Sequence, residues 1–254
     1  MTSPVVQFEE VGFHYSNGGA AAVGGLTLSV DRGEVVVLVG RSGAGKSTIL
    51  KLVNRMVLPR SGVVRVEGRD TREWQPIALR RRIGYVLQDV GLFPHMTVEE
   101  NVGIVPRLER WPGDRIRARA RDLLELVGLP AGTFAARWPS ELSGGQRQRV
   151  GVARALAIDP PILLMDEPFG ALDPVTRVEL QREFARIQQQ LATTVILVTH
   201  DMAEAFALAR RIGVVDAGSL VVCDTPRAVA HSHDPRVKLL LDTLVMPPGV
   251  GATS

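Results

Sequence analysis

A glycine-rich octapeptide has the residue types and spacing needed to hold phosphate groups. Residues 40–47 read GRSGAGKS and fit the pattern G-x-x-x-x-G-K-[ST]. In such a loop, backbone N–H groups and a helix N-terminus converge on an anion, and glycines let the backbone turn tightly and approach it closely. Many unrelated proteins carry such a loop, so alone it predicts only a nucleotide site. That site comprises Gly40, Arg41, Ser42, Gly43, Ala44, Gly45, Lys46, Ser47 and Thr48.

Three side chains at the end of the loop have separate expected roles. We expect Lys46 to bridge the β- and γ-phosphates, the Ser47 hydroxyl to coordinate Mg²⁺, and Thr48 to contact the α-phosphate. The apolar run at 35–39 is typical of a strand, and a helix is predicted to begin near Lys46. A strand, a loop and a helix in this order are the context that the pattern requires.

Two carboxylates follow the apolar run at 162–165. A strand that ends in a carboxylate places Asp166 at the edge of the sheet where ligands bind in α/β folds. We expect Asp166 to hold Mg²⁺ through water and Glu167 to polarise the attacking water as a general base. A polar pair at the end of a strand is common, but Pro168 and the sequence FGALD at 169–173 favour the catalytic interpretation.

The pentapeptide LSGGQ at 142–146 supplies a second anion site. Ser143 is a good N-cap residue, and its hydroxyl, the glycine amides and the helix dipole all favour negative charge. The site therefore comprises Ser143, Gly144, Gly145 and Gln146.

The phosphate loop and LSGGQ together resemble those of the ATPase subunits of ABC systems. In that family, LSGGQ of one subunit closes onto ATP held by the phosphate loop of another. The resemblance covers residues from about 5 to 222. It implies ATP and Mg²⁺ as cofactors, and a second copy of the chain as partner in a head-to-tail dimer that encloses two ATP molecules.

The resemblance also implies roles for four residues outside these motifs. Gln88 occupies the position of the Q-loop glutamine, which reaches Mg²⁺ and water and couples the nucleotide to a helical insert. His200, after the apolar run at 195–199, matches the switch histidine, which hydrogen-bonds the γ-phosphate, although a lone histidine after a strand is usually a polar boundary residue. Asp173 matches the D-loop aspartate, which crosses to the opposite subunit. Tyr15 has the spacing of the aromatic residue that stacks on adenine, and the alternative is a strand tyrosine packed on the sheet.

Two further segments resemble those of import ATPases. The sequence GLFPHMTVEENV at 91–102 corresponds to the segment that borders the groove for a coupling helix of the membrane permease; alternatively, Phe93 and Met96 fill the core of the insert. With RRIGYVLQ at 81–88, it most resembles the branch for osmoprotectant uptake, whose solutes are quaternary amines such as glycine betaine, choline and carnitine. Many ATPases of that branch carry paired regulatory domains without counterparts here, so we expect any osmotic regulation to act elsewhere.

The resemblance therefore implies an ATP-hydrolysing subunit of a bacterial-type importer. Its expected partners are integral-membrane permease subunits and a solute-binding protein, and its expected location is cytoplasmic, peripheral on the inner face of the cell membrane. The alternatives are an importer of another small solute, an exporter, and an ABC ATPase of DNA repair or translation. The last class usually has long coiled-coil inserts or two fused cassettes, which 254 residues do not accommodate.

Composition excludes other classes of function. The chain has a net charge of +3, and the arginine-rich run at 107–121 is interrupted by acidic residues and lacks an aromatic ladder. We therefore interpret the run as a solvated helix face and expect no nucleic-acid partner. The single cysteine, Cys223, excludes an internal disulfide and fits a reducing compartment. The apolar runs are all strand-sized, well short of the roughly 20 residues that span a bilayer.

The order of apolar runs predicts an α/β fold with a P-loop NTPase core. Runs at 35–39, 83–87, 162–165, 195–198 and 212–215, separated by helix-length segments, predict a parallel sheet. Strands at 5–13 and 26–30, joined by a glycine-rich turn at 16–19, predict an N-terminal antiparallel β sub-domain. We predict helices at 98–105, 115–127 and 143–157, and thus one ABC ATPase domain at 1–246, with a RecA-like core at 1–88 and 160–246, a helical insert at about 89–159, and a flexible C-terminal tail at 247–254.

Overall fold

The computed structural model describes residues 4–15 and 21–244, so the predicted glycine-rich turn at 16–19 and the predicted tail at 247–254 lie outside the described residues. Its largest sheet has six strands in the order β10-β9-β3-β8-β7-β6. All neighbours pair in parallel except β10, which is antiparallel to β9. The strands are β3 Val35–Val39, β6 Ile83–Val86, β7 Ile162–Asp166, β8 Thr194–Thr199, β9 Arg211–Asp216 and β10 Ser219–Asp224.

Both faces of this sheet are covered, which explains the unbroken apolar runs of its central strands. Val37 and Val39 of β3 face one hydrophobic cluster, together with residues of the helices between β6 and β7. Val36 and Leu38 face a second cluster, which includes residues of the N-terminal strands. The two-residue period of a strand therefore distributes β3 between two cores. The predicted parallel α/β core is confirmed.

A second sheet is antiparallel and has four strands in the order β2-β1-β4-β5. The predicted N-terminal antiparallel sheet is thus confirmed, but the sequence analysis did not predict β4 and β5. Gly62 and Gly68 interrupt this region, and charged residues separate its valines, so its apolar signal is weak. The strands are β1 Pro4–Phe13, β2 Val23–Asp31, β4 Ser61–Val66 and β5 Arg69–Asp70.

Helices connect and cover these sheets. They are α1 Lys46–Val53, α2 Pro76–Arg81, α3 Val98–Val102, α4 Ile104–Leu108, α5 Gly113–Leu126, α6 Ala131–Phe134, α7 Gly144–Ala155, α8 Pro174–Leu191, α9 Met202–Leu208, α10 Pro226–Ala230 and α11 Pro235–Leu241, with short 3₁₀ helices at Pro139–Glu141 and Asp242–Leu244. Within the described ranges, no helix is both long and apolar enough to cross a membrane.

The connection between β6 and β7 is helical, from α3 to α7. The helix predicted at 98–105 is instead two helices that meet at Gly103, where an added Cβ would lie 2.6 Å from Cγ2 of Ile116 on α5. The helix predicted at 115–127 is α5, and it ends before Gly128, whose φ of +68° suits the residue after a helix. The limits 1–246 and 89–159 for the domain and its insert stay predictions.

Gly84 allows α7 and β7 to approach β6 closely. A Cβ at Gly84 would lie 2.5 Å from the Ala155 carbonyl oxygen and 2.8 Å from Cδ1 of Leu163. We therefore expect Gly84→Ala to lower the free energy of unfolding by about 2 kcal/mol, the usual cost of overpacking. Gly132→Ala is the matched control, because nothing lies within 4 Å of a Cβ there. Equal midpoints of guanidinium unfolding for the two variants would contradict this packing.

Candidate nucleotide-binding site

Three parallel strands end at the same edge of the core sheet. In register, Val39 of β3 pairs with Thr199 of β8, and Val198 of β8 pairs with Asp166 of β7. The residues that follow these strands therefore lie together, because parallel strands deliver their carboxyl ends to one edge. The phosphate loop follows β3, Glu167 follows β7 and His200 follows β8. The structure thus brings together the predicted catalytic elements, although the phosphate loop precedes the other two by more than a hundred residues in the sequence.

The glycines of the phosphate loop are required by close packing around it. An added Cβ at Gly40 would lie 2.1 Å from the carbonyl oxygen of Val215, and one at Gly45 would lie 2.1 Å from that of Ala22. Gly43 has a φ of +82° and open space where a Cβ would point. Arg41, Ser42 and Gly43 are exposed, whereas Ala44 and Thr48 are buried. The loop is therefore packed tightly from behind and open at its tip, as a phosphate cradle must be.

Lys46 is buried at the start of α1 and points its ammonium into the loop. Its Nζ donates hydrogen bonds to the carbonyl oxygens of Gly40 at 2.6 Å and Arg41 at 3.0 Å. Burial lowers the pKa of Lys46, while the charges of Glu167 and Asp166 raise it. A positive charge held inside a ring of backbone groups is well placed to attract the anion that the loop would hold.

Ser47 and Asp166 supply oxygen ligands suited to a divalent cation. The Ser47 hydroxyl donates to Oδ1 of Asp166 at 2.8 Å, and the Tyr85 hydroxyl donates to Oδ2 at 3.4 Å. Burial, followed by the charge of Asp166 and this hydrogen bond, raises the pKa of Tyr85, so its hydroxyl stays protonated and continues to donate. Hydroxyl and carboxylate oxygens are the hard ligands that Mg²⁺ prefers, so the residues fit the expected ion.

Glu167 and His200 meet beside this oxygen pair. His200 Nδ1 lies 3.1 Å from Oε2 of Glu167, and the imidazole donates when its proton is on Nδ1. Glu167 has a φ of +45°, which is unfavourable for a residue with a Cβ. Its backbone N–H donates to the carbonyl oxygen of Val198 at 2.9 Å, which ties the turn to β8. The carboxylate is thus fixed by its backbone and by the histidine.

Tyr15 lies at the rim of the loop. Its hydroxyl is 3.2 Å from Oγ1 of Thr48, and its ring packs edge-to-face on Phe13 with centroids 4.9 Å apart. The residue nevertheless remains 48% exposed. Its position beside the loop is therefore compatible with stacking on a base, although the ring also packs on its neighbouring strand.

Other predicted site residues lie apart from this cluster. Gln88 is exposed and lies two residues beyond the end of β6. The strand ends at Val86, one residue before its predicted end at 87. Asp173 is the N-cap of α8 and accepts from the Thr176 N–H at 3.0 Å. Hydrogen bonding with the Thr176 side chain, and then with its backbone N–H, lowers the pKa of the Asp173 carboxyl.

The LSGGQ segment begins α7 with a capping box. Ser143 Oγ accepts from the Gln146 N–H at 3.2 Å, and Gln146 Oε1 accepts from the Ser143 N–H at 2.9 Å. Gly145 is buried. An added Cβ there would lie only 2.7 Å from Cγ2 of Thr176 on α8. Ser143 and Gly144 are exposed. In the part of the chain that the structure describes, no hydrogen bond joins LSGGQ to the phosphate loop, so one chain leaves these motifs apart.

Sequence comparison agrees with this geometry. Residues 23–170 match the family model described as ABC transporter. The chain belongs to the ABC transporter family. As an ABC chain it has an ATP-binding fold, and its predicted fold class and family are confirmed.

Two curated ABC relatives are similar over most of this chain. The glycine betaine/carnitine/choline transport ATP-binding protein OpuCA of Bacillus subtilis is 48% identical over 90% of this chain and 60% of its own length. The glycine betaine uptake system ATP-binding protein YehX of Escherichia coli is 50% identical over 82% of this chain and 68% of its own length. The chain thus spans about three fifths to two thirds of these relatives.

A solved ABC cassette has the same fold. The ATP-binding cassette MJ0796, in a dimeric post-hydrolysis state bound to ADP and Pi, superposes with a TM-score of 0.77. It is 32% identical in sequence and covers 87% of this chain and 99% of its own.

Proposed function

We propose that this chain binds and hydrolyses ATP to power an ABC importer of osmoprotectants of the quaternary-amine class, such as glycine betaine. The observation that carries the proposal is the convergence of Lys46, Ser47, Asp166, Glu167 and His200 at one edge of the sheet. The transport names of OpuCA and YehX support the direction and the solute class.

ATP binding would use groups that already face the loop. The backbone N–H groups of residues 40–48, with Lys46, hold the phosphates, and Tyr15 stacks on the adenine. Ser47 and Asp166 would hold Mg²⁺, with Gln88 reaching it when the insert moves. The ion, when bound, neutralises phosphate charge.

Hydrolysis requires a base next to the phosphate cradle. Glu167 accepts a proton from the attacking water, which adds to the γ-phosphorus as the bond to ADP breaks. His200, whose Nδ1 lies 3.1 Å from Oε2 of Glu167, would donate its N–H to the γ-phosphate once ATP is bound. The positive φ of Glu167 supports this role, since strained backbone concentrates at functional sites.

A second copy of the chain would complete each site. Ser143 and Gly144 are exposed at the start of α7, followed by the buried Gly145 and the partly buried Gln146, and Asp173 caps the neighbouring helix. Placed against the phosphate loop of the partner, Ser143 and the amides of α7 add an anion site on the far side of the γ-phosphate. The dimeric state of MJ0796 supports this arrangement.

A groove next to the Q-loop segment is suited to a permease helix. Its apolar lining includes Leu87, Phe93 and Leu108, and its volume is about 390 Å³. Asn101 is fully buried, and its amide accepts from the Phe93 N–H at 2.7 Å and donates to the Met96 carbonyl at 3.1 Å. This clamp leaves Phe93 41% exposed at the groove. Through this groove the chain would sit on the cytoplasmic face of the membrane, beside permease subunits that work with a solute-binding protein.

Glu167→Gln tests the hydrolytic role. The amide keeps the size of the side chain but cannot take a proton, so we expect ATP binding to persist, turnover to fall at least about a hundredfold, and a dimer to be trapped by ATP. Glu179→Gln, an exposed position on α8, is the matched control. Phosphate release and size-exclusion chromatography measure both effects. Turnover at the wild-type rate in Glu167→Gln would remove Glu167 from the mechanism.

Affinity purification from native membranes tests the transport role. Tagged chain extracted in mild detergent is expected to bring down a multi-span permease, with a solute-binding protein that binds glycine betaine or a related quaternary amine. Phe93→Asp should lose the permease and keep ATP binding, because it places a charge in the groove. Leu58→Asp, an exposed apolar position elsewhere, should retain it. Recovery of only ribosomal or DNA-repair proteins would contradict a transport function.

A further inference from the structure

A partly buried polar cluster lies behind the pair Glu167–His200. It is formed by Arg177 of α8, Thr199 at the end of β8, and Asp201 and Glu204 at the start of α9. Glu204 is 3% exposed and Thr199 is 2% exposed, so these groups were withdrawn from water on folding. Burying charge is costly unless it is paired, which makes the cluster a feature that requires explanation.

Arg177 joins two segments of the proposed site. Its Nη2 donates to the carbonyl oxygen of Leu172 at 3.1 Å, and its Nη1 lies 3.4 Å from Oδ2 of Asp201. Leu172 directly precedes Asp173, and Asp201 directly follows His200. One guanidinium therefore links the segment that faces the partner subunit in the proposed dimer to the segment that carries the histidine.

Glu204 fixes the same histidine segment from the other side. Its Oε2 accepts from the Thr199 hydroxyl at 2.8 Å, and the Thr199 oxygen accepts from the Asp201 N–H at 3.0 Å. The residues immediately before and after His200 are thus tied to one buried carboxyl. The pKa of Glu204 is raised to about 7, chiefly by burial; the hydrogen bond from Thr199 and the charge of Arg177 lower it, and the charges of Asp201 and Glu167 add to the effect of burial.

Two atoms of the cluster are left with no hydrogen-bond partner in the described chain. They are Oε1 of Glu204 and Nε of Arg177, one an acceptor and the other a donor. Both side chains are already anchored through their other atoms. The cluster therefore holds one unused donor and one unused acceptor, which a small displacement of α8 relative to α9 would allow to form new hydrogen bonds.

We propose that Arg177 and Glu204 are positioning residues that transmit the placement of the Asp173 segment to His200 and Glu167. The inference rests on the proposed ATP hydrolysis in a dimer. When a partner subunit contacts the Asp173 segment, Arg177 carries that contact to Asp201, and Glu204 with Thr199 keeps His200 in line with Glu167. The forked guanidinium is needed because it bonds both segments at once, which a lysine ammonium on its flexible stem does less well.

The test compares conservative variants in the full chain. Arg177→Lys keeps the charge and loses the fork, so we expect kcat for ATP to fall at least about tenfold, while the ATP Kd stays within about twofold. Glu204→Gln keeps an acceptor for Thr199 and loses the charge, and should also lower kcat. Because the two residues act as a unit, the double variant should lose less than the product of the single losses.

A second, partly buried ion pair on α8 provides the control. Glu183 pairs with Arg149 of α7, and neither residue belongs to the site described above. Glu183→Gln should lower the midpoint of thermal unfolding without changing kcat. The inference is overturned if Arg177→Lys and Glu204→Gln turn over at the wild-type rate, or if kcat, ATP affinity and unfolding midpoint all fall together as in a general loss of folding. Absence of ATP hydrolysis in the wild-type chain would instead reject the proposed function, and this inference with it.

Discussion

Parallel pairing of β3, β7 and β8 places opposite charges at one edge of the sheet, and the rest of the site depends on this pairing. The register pairs Val39 with Thr199 and Asp166 with the adjacent Val198, so the residues that follow share one cleft. Lys46 is buried there with Asp166 and Glu167 as its balancing charges. Because the strands are fixed by buried apolar side chains on both faces, the polar groups do not have to stabilise the edge themselves.

The phosphate loop is also shaped from outside. The carbonyl oxygens of Ala22 and Val215 approach Gly45 and Gly40 closely, and the Gly218 N–H donates to the Ala44 carbonyl at 3.0 Å. The loop therefore lies between the antiparallel N-terminal sheet and the last hairpin of the core. The hairpin of β9 and β10 is remote from the carboxylates, yet its packing supports the phosphate loop. The tip of the loop remains accessible.

The sequence predicted those features that a local residue pattern or a motif determines. The apolar runs of β3, β7 and β8 were visible because both faces of these strands are buried, and Lys46, Ser47, Asp166, Glu167 and His200 lie together as expected. The contact of LSGGQ with ATP stays a prediction, since it requires a second chain.

Other features were invisible because they depend on contacts between distant segments. Strand β4 has only a weak strand pattern in its own sequence. It is defined by its pairing with β1, for example that of Val64 with Phe8. In the sequence, Tyr85 is simply one residue of an apolar run. Its hydrogen bond to Asp166 exists only in the folded chain. Arg177 and Glu204 resemble ordinary helix charges, and only the folded chain bonds Arg177 to Leu172 and buries Glu204 beside Thr199.

The central claim is that each active site is shared between two copies of the chain, and mixing two inactive variants tests it most directly. Lys46→Ala disables the phosphate loop, and Ser143→Asp keeps an N-cap but repels phosphate from LSGGQ. Each alone should show background turnover. In an equal mixture, half of randomly formed dimers are mixed and contain one intact site, so turnover should recover to as much as about a quarter of wild type. A mixture that remains at background would contradict a shared site.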